Sequence, residues 1–269
     1  MPLHTPPSTP IFAQPSPIAA QDLTALHIYC LDIRQLSAQA YVEAETMMSV
    51  SEQARAASFV RGKAAYIASR WLLRKVLGAH LAIAPEAVVF ARSDKGKPYL
   101  PGQALQFSLS HCEHWVLLAV GYAESIGVDV ESLKRSRNLS AIAERYYHPS
   151  EFAQLQQLGK DGQTSYFYRL WTLKEAFFKA LGSGISTGLE KITFGVEGEK
   201  IQGAIHGIIQ ETIRGTMDKS LIDNTDAAGA AWHFFQWALS DDHYVALACK
   251  SPMPPDVHWH KLAGAPAFP

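Results

Sequence analysis

Two short stretches carry carboxylates where an apolar context makes them costly. Residues 127–131 read GVDVE, and residues 171–180 read WTLKEAFFKA. If the first is a strand, side chains alternate between its faces, so Asp129 and Glu131 stand side by side while Val128 and Val130 point the other way. If the second is a helix, Glu175 and Lys179 share a face, with Trp171 one turn before them. An ionised carboxylate in apolar surroundings is strongly disfavoured unless a cation or good donors compensate it. Taken separately, the two stretches are an exposed strand face and an ordinary helix ion pair. Taken together, the three acids suit a hard cation such as Mg²⁺, which takes a few carboxylate oxygens and keeps positions for water and phosphate.

Groups that could receive phosphate lie upstream. Ser110 and His111 stand where a β-hairpin bend is expected, and Lys95 and Lys97 flank Gly96 in the turn DKGKPYL. Arg55, Arg61, Lys63 and Arg70 lie on a helical stretch. Each of these alone is a turn serine, a surface histidine or a solvated basic residue. With the acids they describe a pocket for a Mg²⁺-bound, highly phosphorylated small molecule.

The elements that must position these residues follow from periodicity. Residues 25–33 alternate loosely and read as a first strand, followed by a helix start near Ser37. From Ser51 to Leu77 apolar residues recur at helical spacing, giving one long helix or two, with Gly78 as a stop. AVVFARSDKGKPYL reads as a strand running into a turn, LQFSLSHCEHWVLLAVGY as a hairpin bent at Ser110 to Glu113, and IGVDVE as a further strand. Helices are expected near 139–146, from Glu151, and over SYFYRLWTLKEAFFKAL, ending at GSG. RWLLRKVLG (70–78) aligns without gaps on KEAFFKALG (174–182), and LSHCEHWVLLAV (109–120) on LSDDHYVALAC (239–249) with one gap. Helix then hairpin occurs twice, which suggests a duplicated α+β fold with a pseudo-two-fold axis and a site in the cleft between its halves.

Composition narrows the partners. The chain has 269 residues, 48% of them hydrophobic, enough for a sizeable core. A net charge of −1 gives no overall basic field for nucleic acid, so any polyanion must be held by a local cluster. Cys30, Cys112 and Cys249 are odd in number and have no CxxC spacing, which argues against disulfides or a zinc site and for a reducing cytoplasm. No apolar run reaches the roughly 18 residues of a membrane span. The first 20 residues lack the features of a secretory signal and read as a proline-rich, disordered lead; the end reads as a similar loop-like tail, leaving Leu23 to Lys250 as the folded part.

The order GKPYL, FSLSHCEHWVLLAV, GVDVE, FYRLWTLKEAFFKALGSGI resembles the 4'-phosphopantetheinyl transferases, and among them the monomeric, surfactin-synthetase-activating type, over roughly residues 50–195. The resemblance implies an α+β fold of two similar α/β halves, here 22–125 and 126–250, between a lead of 1–21 and a tail of 251–269. It implies transfer of the 4'-phosphopantetheine arm of coenzyme A to a serine of an apo acyl or peptidyl carrier protein, with adenosine 3',5'-bisphosphate leaving. Mg²⁺ would be the cofactor and coenzyme A the co-substrate, with no nucleic-acid or membrane partner.

The family's roles carry over residue by residue. Asp129, Glu131 and Glu175 match its Mg²⁺ acids, and Lys179 matches the lysine that approaches the diphosphate. Ser110 and His111 match a pair that contacts the coenzyme A phosphates, and Lys97 and Pro98 the turn bordering the adenine nucleotide. Ala65 stands where several relatives have an arginine for the 3'-phosphate, so that contact falls to Arg61 or Lys63. Glu175 is the favoured base and Lys179 its rival. Lys134, Arg135 and Arg137, directly after the acids, are either a solvated loop or a docking edge for an acidic carrier. A non-catalytic binding module and a Mg²⁺-dependent hydrolase of nucleotide diphosphates remain the competing readings.

Overall fold

A computed structural model describes residues 25–184, 188–197, 200–205 and 231–262. They fall into two units, one running through Tyr122 and including residues 256–262, the other Ala123–Pro255. The expected proline-rich lead lies outside the described residues.

In the first unit, strand β1 (Ala25–Asp32) is followed by three helices, α1 (Ala38–Met47), α2 (Val50–Ser58) and α3 (Lys63–Leu81). The helical run from Ser51 is therefore two helices. A capping box of Ser49 and Glu52 starts α2, and Gly62, with φ 80°, takes the left-handed turn that separates it from α3. Gly78 is not the stop expected of it. Helix α3 continues to Leu81 and ends at Ala82 in the left-handed region, while a Cβ on Gly78 would sit 3.0 Å from the Ile83 carbonyl oxygen; that glycine lets the chain fold back over the helix.

Strands β2 (Ala91–Arg92) and β3 (Pro98–Tyr99) are only two residues each and enclose the Lys97 turn. Strands β4 (Gln106–Cys112) and β5 (Trp115–Gly121) form the hairpin. Tyr29 and Leu31 of β1 pair with Leu118 and Val116 of β5, and all four pack with Leu72, Leu73, Val76 and Leu77 of α3.

In the second unit, β6 (Ser125–Ser132) precedes α4 (Leu139–Tyr146), α5 (Pro149–Gln156) and the long α6 (Lys160–Leu181). Strands β7 (Ile192–Glu197) and β8 (Lys200–Ile205) pair with each other, while β9 (Ala231–Ser240) and β10 (His243–Ser251) join β6 in the order β6-β10-β9. The core is aromatic and lies along α6: Phe167, Phe177 and Phe178 are buried with Phe194 and Trp232. Gln236 of β9 donates to the Arg169 carbonyl and to Thr172 Oγ1 and accepts from Arg169 Nε, so a buried amide fixes sheet to helix.

The expected tail contains a strand, β11 (Asp256–Lys261), which lies parallel to β1 and gives the first unit the sheet order β11-β1-β5-β4. Its prolines precede the strand rather than interrupt it, and Trp259 is buried. Among the described residues no helix is long and apolar enough to cross a membrane, and all three cysteines are buried and outside any disulfide.

Candidate active site

One face of β6 meets α6, and the sequence alternation of GVDVE decides what meets it. Ser125 Oγ donates to the Ala180 carbonyl. At Gly127 the two backbones come so close that a Cβ would stand 1.9 Å from the Ala176 carbonyl oxygen and 2.4 Å from the Ala180 nitrogen. Only glycine allows this approach. Two residues on, Asp129 Oδ1 accepts from Lys179 Nζ at 2.7 Å. Ser125, Gly127, Asp129 and Glu131 thus form one face, and Ile126, Val128 and Val130 are buried on the other. From Ile126 onward the strand is buried, so its acids do not form an exposed face.

Asp129, Glu131 and Glu175 are all buried, at 4%, 8% and 9% exposure, and feel one another's charge. Burial, with Asp129 beside it, pushes the Glu175 carboxyl up to about 7 against the pull of Lys179. Burial and Asp129 likewise raise Glu131, opposed by Arg135 and Arg137. The helix pair expected between Glu175 and Lys179 is instead a strand-to-helix pair between Asp129 and Lys179.

The loop after β6, expected to be a docking edge or a solvated loop, turns two of its three cations inward. Arg135 Nη1 donates to Glu131 Oε2 at 2.8 Å, and Arg137 Nη2 approaches Glu131 Oε1 at 3.5 Å. The Arg137 guanidinium also lies 5.9 Å from the centre of the Trp171 ring. Lys134 pairs with Asp242 at 2.5 Å. Asp129 and Glu131 therefore do have cations beside them, supplied by the chain. Among the described residues, no three His, Cys, Asp or Glu side chains close tightly enough to hold a metal ion as they stand. The donors are nonetheless three buried, mutually repelling carboxylates, which is the donor chemistry a hard divalent cation takes.

The expected phosphate contacts all lie in the other unit. Lys97 and Pro98 are half-buried at the β2–β3 turn, and burial lowers the Lys97 ammonium to about 8. Ser110 and His111 are not at the hairpin bend. The register runs on to Cys112 opposite Trp115, which leaves Glu113 (φ 52°) and His114 as the turn. As neighbours in a strand, Ser110 and His111 point to opposite faces, the first buried and the second exposed. Arg61 and Lys63 are exposed at the α2–α3 junction and Ala65 is buried in α3. Exposed Arg55 sits on α2, while Arg70 is drawn toward Glu52, 3.6 Å away, and lies over Tyr66.

Comparison with known proteins assigns this arrangement to a class. Residues 125–248, which contain the acids and Lys179, match the profile of the 4'-phosphopantetheinyl transferase superfamily, and residues 35–123 match that of the 4'-phosphopantetheinyl transferase N-terminal region. The 4'-phosphopantetheinyl transferase HetI of a Nostoc species is 32% identical over 221 residues, 79% of this chain and 91% of that protein. A 4'-phosphopantetheinyl transferase of Bacillus subtilis is 35% identical over 45% of this chain and 54% of its own. The L-aminoadipate-semialdehyde dehydrogenase-phosphopantetheinyl transferase of Xenopus laevis is 30% identical over 71% of this chain and 63% of its own. A solved holo-(acyl-carrier-protein) synthase of Bacillus anthracis aligns over 48% of this chain and 97% of its own at 19% identity, with a TM-score of 0.35, too slight a likeness to add to these. The chain belongs to the 4'-phosphopantetheinyl transferase superfamily, of the type represented by the Bacillus and Nostoc enzymes.

Proposed function

We propose that this protein transfers the 4'-phosphopantetheine arm of coenzyme A to a serine hydroxyl of an apo acyl or peptidyl carrier protein. The observation that supports this best is the meeting of Asp129, Glu131, Glu175 and Lys179 where β6 packs on α6, inside the segment that matches the superfamily. Asp129, Glu131 and Glu175 would hold Mg²⁺, which when bound neutralises charge on the diphosphate. Lys179 is 32% exposed and can turn from Asp129 to a diphosphate oxygen. Glu175 is proposed to take the serine proton, because a carboxylate beside the metal lies within reach of the incoming hydroxyl.

The reaction is a displacement at the β-phosphorus. A bond forms from the serine oxygen to phosphorus, and the bond to the α-phosphate oxygen breaks. The electron pair leaves with adenosine 3',5'-bisphosphate, and the serine proton passes to Glu175. Lys97, Pro98, Ser110 and His111, with Arg61 and Lys63, are proposed to bind the nucleotide and phosphates of coenzyme A; for Ser110 and His111 the contact would combine one side chain with the strand backbone. Helix followed by hairpin in each unit supports reading the fold as two similar halves. We read the protein as a cytoplasmic monomer.

Intact-mass measurement of several apo carrier proteins after incubation with this protein, coenzyme A and Mg²⁺ is the test. One phosphopantetheine increment on a carrier is the expected result. Coenzyme A cleaved with every carrier unmodified would replace the reading with that of a hydrolase.

A further inference from the structure

Both oxygens of Glu131 face a guanidinium. Arg135 is 2.8 Å from Oε2 and Arg137 is 3.5 Å from Oε1, while the Glu131 side chain itself is only 10% exposed. We infer that Arg135 and Arg137 form a counter-ion latch on Glu131 that competes with a divalent cation for this carboxylate. The inference rests on the metal role proposed for Glu131 above.

The latch is built to open without refolding. Its backbone is fixed on both sides: the Leu133 N–H donates to the Asp242 carbonyl at 2.7 Å, the Tyr168 hydroxyl donates to the Arg135 carbonyl at 3.1 Å, and Asn138 caps α4 through the Ala141 N–H. The arginine side chains reach solvent. Arg135 is 43% exposed and Arg137 is 26% exposed, so each guanidinium can regain water by rotating its own side chain. Ion pairs with an exposed partner are weakly held, whereas a buried carboxylate left without any cation is costly. The two arginines therefore keep Glu131 compensated until another cation replaces them.

Arg137 has a second resting place. Its guanidinium lies over Trp171, which stands one turn before Glu175 on α6. It can stay on the aromatic face after giving up the longer contact to Glu131. Arg135, which makes the shorter contact from the more exposed position, is then the one that must leave.

Mn²⁺ titration of the full chain without coenzyme A, read by the electron paramagnetic resonance of free ion, separates the possibilities. Arg135→Gln with Arg137→Gln should bind Mn²⁺ about two- to tenfold more tightly than the wild type, the range set by weak ion pairs. Lys134→Gln removes one positive charge from the same loop, where the double substitution removes two, but from a residue paired to Asp242, and should leave the affinity unchanged. In a Glu131→Gln background the arginine substitutions should have no effect. Binding that depends on Glu131 yet is not tightened by loss of the arginines, or is tightened equally by Lys134→Gln, overturns the latch. Binding indifferent to Glu131→Gln overturns the metal role of Glu131, and the latch with it.

Discussion

Lys174 Nζ lies 2.9 Å from Glu151 Oε2, with both side chains buried. The lysine also donates to the Leu189 carbonyl at 2.7 Å and to the Ile192 carbonyl, and sits over the Tyr147 ring. Glu151 in turn accepts from the His148 and Phe194 backbone N–H groups. The pair thus joins the start of α5, the middle of α6 and the start of β7, one residue from Glu175. Lys174→Met should destabilise the protein by about 3 to 5 kcal/mol, the cost of stranding one member of a buried pair. Urea unfolding measures this, and a loss under about 1 kcal/mol would deny the pair its structural part.

Gly127 sets how near the acids come to Lys179. Its missing Cβ would overlap backbone atoms of Ala176 and Ala180, which cannot yield as a flexible side chain could. Gly127→Ala should cost about 2 to 3 kcal/mol by overpacking. It should also lower turnover by more than any unfolded fraction explains, because β6 must move off α6. Activity measured well below the melting temperature, beside a melting curve, checks both parts.

The site was legible where it depended on period. Alternation in GVDVE placed Asp129 and Glu131 on one face, and helical spacing placed Glu175 and Lys179 near each other. The pairing across elements was not legible. Spacing within α6 pointed to Glu175 as the partner of Lys179, but the choice of Asp129 follows from the close approach at Gly127, which only the packed strand and helix define. Arg135 and Arg137 carried a signal, four and six residues after Glu131, but a loop has no period to say which way they turn. Strand β11 is illegible in the sequence for a related reason. Its partner β1 is more than 200 residues away, and the prolines before it suggested a loop. The bend falls beyond Ser110 and His111 because hairpin register is set by the turn, here by Glu113 in a left-handed conformation unusual for glutamate.

The imidazoles of His27, His80 and His260 lie around Tyr29 in the first unit, and that of His258 lies beside His27. His27 Nδ1 and His260 Nε2 are 2.6 Å apart, and burial, with the neighbouring imidazoles, lowers His260 to about 4. Its folded-state value lies below the unfolded one, near 6.5, so the unfolded chain binds the proton first. This contribution is present above pH 6.5 and is lost as the pH falls toward 4. The partly exposed ring should account for about 1 to 3 kcal/mol. Urea midpoints at pH 7.5 and 5 should differ less in His260→Gln than in the wild type; equal differences would assign the acid sensitivity elsewhere.

If Lys97 contacts a coenzyme A phosphate as proposed, the affinity should depend on alkaline pH. Burial sets its ammonium at about 8 in the free protein, and a bound phosphate would raise it. Affinity should then be level below pH 8 and weaken above it, by at most about tenfold per unit, because only the charged lysine attracts phosphate. Calorimetric titration at pH 7 and 9 should show this weakening in the wild type and a flat response in Lys97→Met. A flat wild-type profile would remove Lys97 from the phosphate contacts.

Asp129 is the acid whose loss should separate chemistry from folding. Its partner Lys179 is 32% exposed, so in Asp129→Ala the ammonium can turn to water and leaves no stranded buried cation. The substitution also relieves the repulsion that helps push Glu175 up, so the fold should survive with little change in melting temperature. Transfer, in contrast, loses a carboxylate proposed to hold Mg²⁺ and should fall by at least about 100-fold, the scale for removing one electrostatic contribution to a phosphoryl-type transition state. Single-turnover transfer to an apo carrier protein, with circular dichroism of the same sample, tests the two halves together. Near wild-type turnover at limiting Mg²⁺ would show that the metal is held elsewhere. Lost turnover with an unfolded spectrum would show that the Asp129–Lys179 pair is structural first.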